Sequence, residues 1–181
     1  MIRIGILGNI GSGKSYVAKN FGYPVFNADY EVSKLYKKDK KIFKKLKKKL
    51  PKYISSFPIN KNEITKAILS NKVNLKKIIT IVHLEIRKIL KLFLKKNRDK
   101  KVIILDIPLL LENKINNKDD ILVFVDSKKI EIEKRLKKRL NFNRKLINKF
   151  KKIQFSSSYK KRRSNFTIKN NFKIGRAHVW T

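Results

Sequence analysis

Gly8-Asn9-Ile10-Gly11-Ser12-Gly13-Lys14-Ser15 fills every position of the phosphate-loop pattern G-x-x-x-x-G-K-[ST]. Its glycines let the backbone take positive φ and turn successive N–H groups into one concavity, which suits phosphate oxygens. A phosphate bound there sits at a helix N-terminus. Lys14 supplies a mobile cation for the β- and γ-phosphates, and the Ser15 hydroxyl is placed to ligate Mg²⁺. With Tyr16, which follows it into the helix, the octet forms the candidate nucleotide site.

Upstream, Met1 to Leu7 is a short apolar run suited to a buried strand, and Ser15 to Phe21 continues as a helix. A second strand, Gly22 to Phe26, ends just before Asn27-Ala28-Asp29. Asp29 then sits near the carboxyl end of a strand, the edge where open α/β sheets bind ligands, or it caps a helix beginning near Tyr30. Residues 39–50 carry apolar positions 42, 43, 46 and 50 on a lysine-rich helix. Pro51 and Pro58 bracket a loop, and 61–96 is helical, with breaks expected near Ser70-Asn71 and near Thr80. His83 and Arg87, spaced i, i+4, project from one side of a helix.

Lys101 to Asp106 is apolar until its closing carboxylate, as befits the middle of a parallel sheet. Asp106 either helps organise Mg²⁺ or caps the turn into Ile107 to Glu112. Ile121 to Val125 is the next strand, a helix spans about 128–140, a helical hairpin spans 141–164, and Asn165 to Ile168 is a last strand. This order predicts an α/β, three-layer P-loop NTPase fold with a parallel sheet, a helical insertion and a helical lid. The outline is that of nucleoside-monophosphate-kinase-like enzymes, with the insertions placed by fold analogy. The core is expected at 1–38, 99–140 and 164–173, the insertion at 39–98 and the lid at 141–163.

The chain has 181 residues, 48 Lys+Arg and 13 Asp+Glu, a formal net charge of +35. That charge favours RNA or anionic surfaces. It is spread along the whole chain together with abundant Asn and Ile, which points to an A/T-rich coding sequence and to incidental RNA binding. Absence of cysteine excludes disulfides and thiolate chemistry. The N-terminus does not read as a signal peptide, and the most apolar stretch, 78–94, is interrupted by charges. A cytoplasmic monomer with no membrane segment is expected.

Together these stretches resemble the dephospho-coenzyme A kinase family. Val25-Phe26-Asn27-Ala28-Asp29 is similar to that family's Asp-Ala-Asp strand end, and Ile81 to Arg87 to its His-Pro-x-Ile-Arg segment. Asp106 to Glu112 resembles its Pro-Leu-Leu-x-Glu segment, and Arg135 and Arg139 fall where it carries lid arginines. Gln154, Lys160 and Asn165 to Asn170 follow its closing pattern. The resemblance implies ATP-dependent phosphorylation of the ribose 3′-hydroxyl of dephospho-CoA, with Asp29 as general base. It further implies Lys14 and Arg139 at the transferring phosphate, and His83 and Arg87 holding the acceptor. Asn27, Leu84 and Asn165 depart from the family's Asp, Pro and Asp. A nucleoside or nucleotide kinase of the same fold and a degenerate nucleic-acid-binding protein are the alternatives. Residues 174–181 match the translation of a common sequencing adapter with TGA read as Trp, so the natural chain is expected to continue past Lys173 with a further helix.

Overall fold

The computed structural model describes residues 1–140, 142–172 and, for the backbone alone, 178–180. It divides into two compact units, Met1–Asn27 with Asn97–Thr181, and Ala28–Lys96. The strands are β1 Ile2–Gly8, β2 Val25–Asn27, β3 Val102–Asp106, β4 Ile121–Asp126, β5 Phe166–Lys169 and β6 His178–Trp180. The helices are α1 Lys14–Asn20, α2 Ala28–Lys38, α3 Lys40–Lys49, α4 Lys61–Ser70, α5 Lys72–Lys96, α6 Lys129–Lys137, α7 Arg144–Lys151 and α8 Ser157–Arg162.

In the first unit the strand order is β2-β3-β1-β4-β5-β6. The first five strands are parallel, and β6 runs antiparallel to β5. Ile103, Ile104 and Leu105 are fully buried, which is why β3 reads as an unbroken apolar run and not as an alternating one. β1 lies between β3 and β4, so the chain leaves it at the point where strand order reverses, the usual position of a ligand crevice in such sheets. α1 packs Val17 and Ala18 against Ile6, Ile104, Val123, Val125 and Ile168, so the helix that follows the phosphate loop is seated in the core. The α/β fold with a parallel sheet expected from the sequence is the fold observed. Of the stretch 174–181, residues 178–180 pair with β5; residues 173–177 and 181 lie outside the described residues.

The second unit is all helical. Asp39 caps α3, its carboxylate accepting from Lys41 N at 2.8 Å and Ile42 N at 3.0 Å. The buried positions of α5 include Leu75, Ile78, Val82, Ile86 and Leu90, one stripe at helical spacing. That stripe is continuous through Thr80, with no Gly or Pro from 72 to 96, so the break expected near Thr80 is absent. The break at Ser70-Asn71 is present: Asn71 is extended, and its side chain accepts from Val73 N at 2.6 Å and Asn74 N at 3.1 Å. Buried Asn74 ties the corner together by donating to Ala67 O and Ser70 Oγ. α2 clusters with these helices, whereas the sequence reading assigned residues 28–38 to the core. No helix among the described residues is long and apolar enough to cross a membrane.

Candidate active site

The loop between β1 and α1 holds its shape through glycine. Gly8, Gly11 and Gly13 all have positive φ, at 148°, 88° and 91°. At Gly8 a Cβ would lie 2.7 Å from Ser12 Oγ and 2.8 Å from Val125 O, and at Gly13 it would collide with the Asn170 amide. Two side chains from the carboxyl ends of β4 and β5 brace the loop. Ser127 Oγ and Asn170 Nδ2 both donate to Ser12 O, at 3.0 and 2.9 Å. Asn170 is itself fixed by its N–H to Asp126 O at 2.7 Å.

Ser12 is buried, and its N–H donates to Asn9 O. Its hydroxyl has no hydrogen-bond partner among the described residues. Ser12 therefore shapes the loop from within, while Ser15 and Tyr16 are exposed on the first turn of α1. No side chain caps α1 and its first turn carries no acid, which leaves the positive end of the helix to an anion. Lys14 Nζ donates to Gly8 O at 3.1 Å and Asn9 O at 2.9 Å, so the ammonium lies over the loop.

Asp106, at the end of β3, is buried and accepts from Asn27 Nδ2 at 2.6 Å. The two residues are register partners on adjacent parallel strands. Replacing Asn27 by Asp sets two carboxylates against each other at this site. We expect a loss of roughly 1–3 kcal/mol at neutral pH. One carboxyl of the pair acquires a pKa raised above its unfolded value, so the variant keeps its stability below the ordinary carboxylate range and loses it progressively up to the raised pKa, with less lost at pH 5 than at pH 8. Urea unfolding of N27D at pH 5 and pH 8 checks this; equal losses at both would contradict it.

Among the described residues no three His, Asp or Glu side chains gather around a common point. Ser15 and Asp106 carry hard oxygen donors, the kind Mg²⁺ takes alongside substrate phosphates and water.

The remaining candidates fall elsewhere. α2 starts at Ala28, so Asp29 lies exposed inside the first helical turn and is neither a strand residue nor an N-cap. His83 is half-buried and Arg87 exposed on α5, within the helical unit that also carries Asp29. Burial, and secondarily the Arg87 charge, hold the His83 pKa below its ordinary value, so the ring is neutral at pH 7. α6 ends at Lys137 and not at Leu140, which leaves Arg139 exposed just past the helix. Arg135, one turn earlier, stacks its guanidinium 4.7 Å from the centre of the Phe172 ring. A pocket of about 400 Å³ lies between the loop, α6 and the helical hairpin, lined by Asn9, Ser127, Lys129, Gln154 and Ser157 among others.

Sequence reasoning singled out no role for Ser127 or Asn170 as braces of the loop. The signal for each is its place directly after a strand that ends beside the loop, and for Asn170 also its position at the end of the family's closing pattern.

Residues 2–175 match the family model described as dephospho-CoA kinase. A Wolbachia pipientis wMel protein described as dephospho-CoA kinase is 35% identical over 170 residues, covering 91% of this chain and 87% of its own. A Thermus thermophilus crystal structure superposes with a TM-score of 0.76 at 27% identity, over 94% of this chain and 88% of that one. The dephospho-CoA kinase from Campylobacter jejuni has the same fold, with a TM-score of 0.60 at 19% identity, over 94% and 89% of the two chains. A full phosphate loop at the switch point of a parallel sheet and a family match across nearly the whole length agree: the chain belongs to the dephospho-CoA kinase family, whose reaction is the ATP-dependent phosphorylation of dephospho-CoA in coenzyme A synthesis.

Proposed function

We propose that this chain transfers the γ-phosphoryl group of ATP to the ribose 3′-hydroxyl of dephospho-CoA, with Asp29 accepting the hydroxyl proton. The complete glycine loop at the end of β1, braced by Ser127 and Asn170, carries the nucleotide half of this reading. Phosphoryl transfer asks for alignment and charge neutralisation more than for covalent chemistry. Loop N–H groups and the α1 N-terminus hold the phosphates, Lys14 follows the charge that moves toward the leaving oxygen, and Arg139 faces the transferring group from the lid. Ser15 and Asp106 would hold Mg²⁺, which neutralises charge on the β- and γ-oxygens when bound.

His83 and Arg87 are assigned to the acceptor. An exposed guanidinium suits the anionic pyrophosphate of dephospho-CoA, and a neutral imidazole can both donate and accept at an uncharged group. Replacing Arg87 by Met is expected to raise KM for dephospho-CoA by about 10- to 100-fold while kcat changes little, the mark of lost uniform binding. Steady-state kinetics at saturating ATP measures the split; an equal fall in kcat would move Arg87 to the transition state.

The reading as a whole is tested by ATP- and Mg²⁺-dependent formation of CoA from dephospho-CoA by the purified protein, with adenosine and AMP as competing acceptors. Preference for a free nucleoside or nucleotide would replace dephospho-CoA as the acceptor. The net charge of +35 also gives weak, sequence-independent attraction to RNA that fades with salt.

A further inference from the structure

The two helices of the lid segment are attached to the protein in opposite ways. α7 buries none of its residues, and its apolar Leu146, Ile147 and Phe150 stay half-exposed. α8 buries one, and that one is a lysine, Lys160. An ammonium taken out of water requires a partner. Glu112, in the turn that follows β3, supplies it: Lys160 Nζ lies 3.1 Å from Glu112 Oε1, with the two side chains 4% and 9% exposed.

The same Oε1 accepts the Phe155 N–H at 2.8 Å, two residues before α8 begins. One carboxylate thus grips both the entry and the interior of this helix. Ser157, in its first turn, donates its hydroxyl to Asn9 Oδ1 of the phosphate loop at 2.8 Å. Glu112 and Lys160 also line a narrow cleft with Gly8 and Lys14. The register of α8 against the loop therefore runs through Glu112.

We propose that Glu112 is a positioning residue that makes α8 a fixed wall of the phosphate site and confines opening and closing of the lid to α7. This rests on the kinase reading above, in which the lid borders the transferring group; lids of that kind close over bound substrate and exclude water. Its physical basis is that α7 holds no buried anchor, whereas moving α8 would strand a buried cation and a buried carboxylate together.

Hydrogen exchange followed by mass spectrometry on the full chain tests this without turnover. In the wild type, amides of 156–163 are expected to exchange at least about tenfold more slowly than those of 144–151, and Mg²⁺ with the β,γ-imido analogue of ATP should slow α7 alone. In E112Q, which keeps an acceptor for Phe155 but strands the Lys160 charge, α8 should lose about tenfold or more of that protection while β1 and β4 keep theirs. KM for ATP should rise more than kcat falls. The neutral pair E112Q/K160M should recover most of the α8 protection, which a general loss of packing would not allow.

Equal exchange in α7 and α8 of the wild type, an unchanged α8 in E112Q, or no recovery in the double variant would overturn the proposal. Should E112Q lose protection in β1 as well, the wild-type response to the ATP analogue decides: slowing of both helices together refutes a fixed α8. A protein that shows the α7–α8 contrast but forms no CoA would refute the assigned reaction and leave the anchor standing.

Discussion

Replacing Lys14 by methionine is expected to lower kcat/KM by about 10³-fold or more, close to 4 kcal/mol of transition-state stabilisation. Methionine keeps the unbranched stem and the helix propensity but removes the charge. In the structure the ammonium is held by two loop carbonyls, Gly8 O and Asn9 O, which keep it over the loop's concavity. These two carbonyls are neutral, so exchanging them for a phosphate breaks no ion pair to either. The fold should not depend on it: Lys14 is only half-buried, and the helix it opens is seated by Val17 and Ala18. A stability change within about 0.5 kcal/mol is expected, as for most surface substitutions. Steady-state CoA formation with parallel thermal unfolding separates the two effects. A loss below about tenfold would show that the helix N-terminus and the bound cation carry the charge neutralisation without Lys14.

The parts of this site that were legible in the sequence are those in which local chemistry and position coincide. The glycine octet announces itself because positive φ at Gly8 and Gly13 admits no other residue in the space available. β3 and β4 are visible because a strand covered on both faces is apolar throughout. What stayed hidden depends on pairs distant in sequence. Nothing near Glu112 reveals that its partner is Lys160, and nothing near Asn27 reveals Asp106, 79 residues away. The register of parallel strands creates the second pair, and periodicity says nothing about register between strands. The expected break at Thr80 failed for the converse reason. A β-branched residue lowers helix propensity slightly, but a stripe of buried side chains running the length of α5 outweighs it. The end of α6 was overrun because residues 138–140 are long, polar or helix-tolerant, with no Gly or Pro to mark the stop.

Asp29→Asn is expected to reduce kcat by about 10²–10⁴-fold, the range for loss of a positioned general base, with KM for ATP unchanged. The substitution is nearly isosteric and sits on an exposed first-turn position of α2. Its structural cost includes a carboxylate's interaction with the helix N-terminus, about 0.3–1 kcal/mol. Asn27 sharpens the expectation. In a chain with aspartates at both positions, the residue two places earlier could take the proton in place of the missing base. Here that residue is an amide, and its Nδ2 is committed to Asp106 at 2.6 Å. An amide side chain is not a base at neutral pH, so Asn27 cannot take over the proton. Asp29→Glu should recover part of the rate, limited by the misplacement of a carboxylate one methylene longer. Rate measurements on D29N and D29E at saturating ATP and dephospho-CoA test the assignment. If D29N retains more than about a tenth of the wild-type kcat, proton removal is not rate-determining or another group performs it, and Asp29 is left with a role in binding alone.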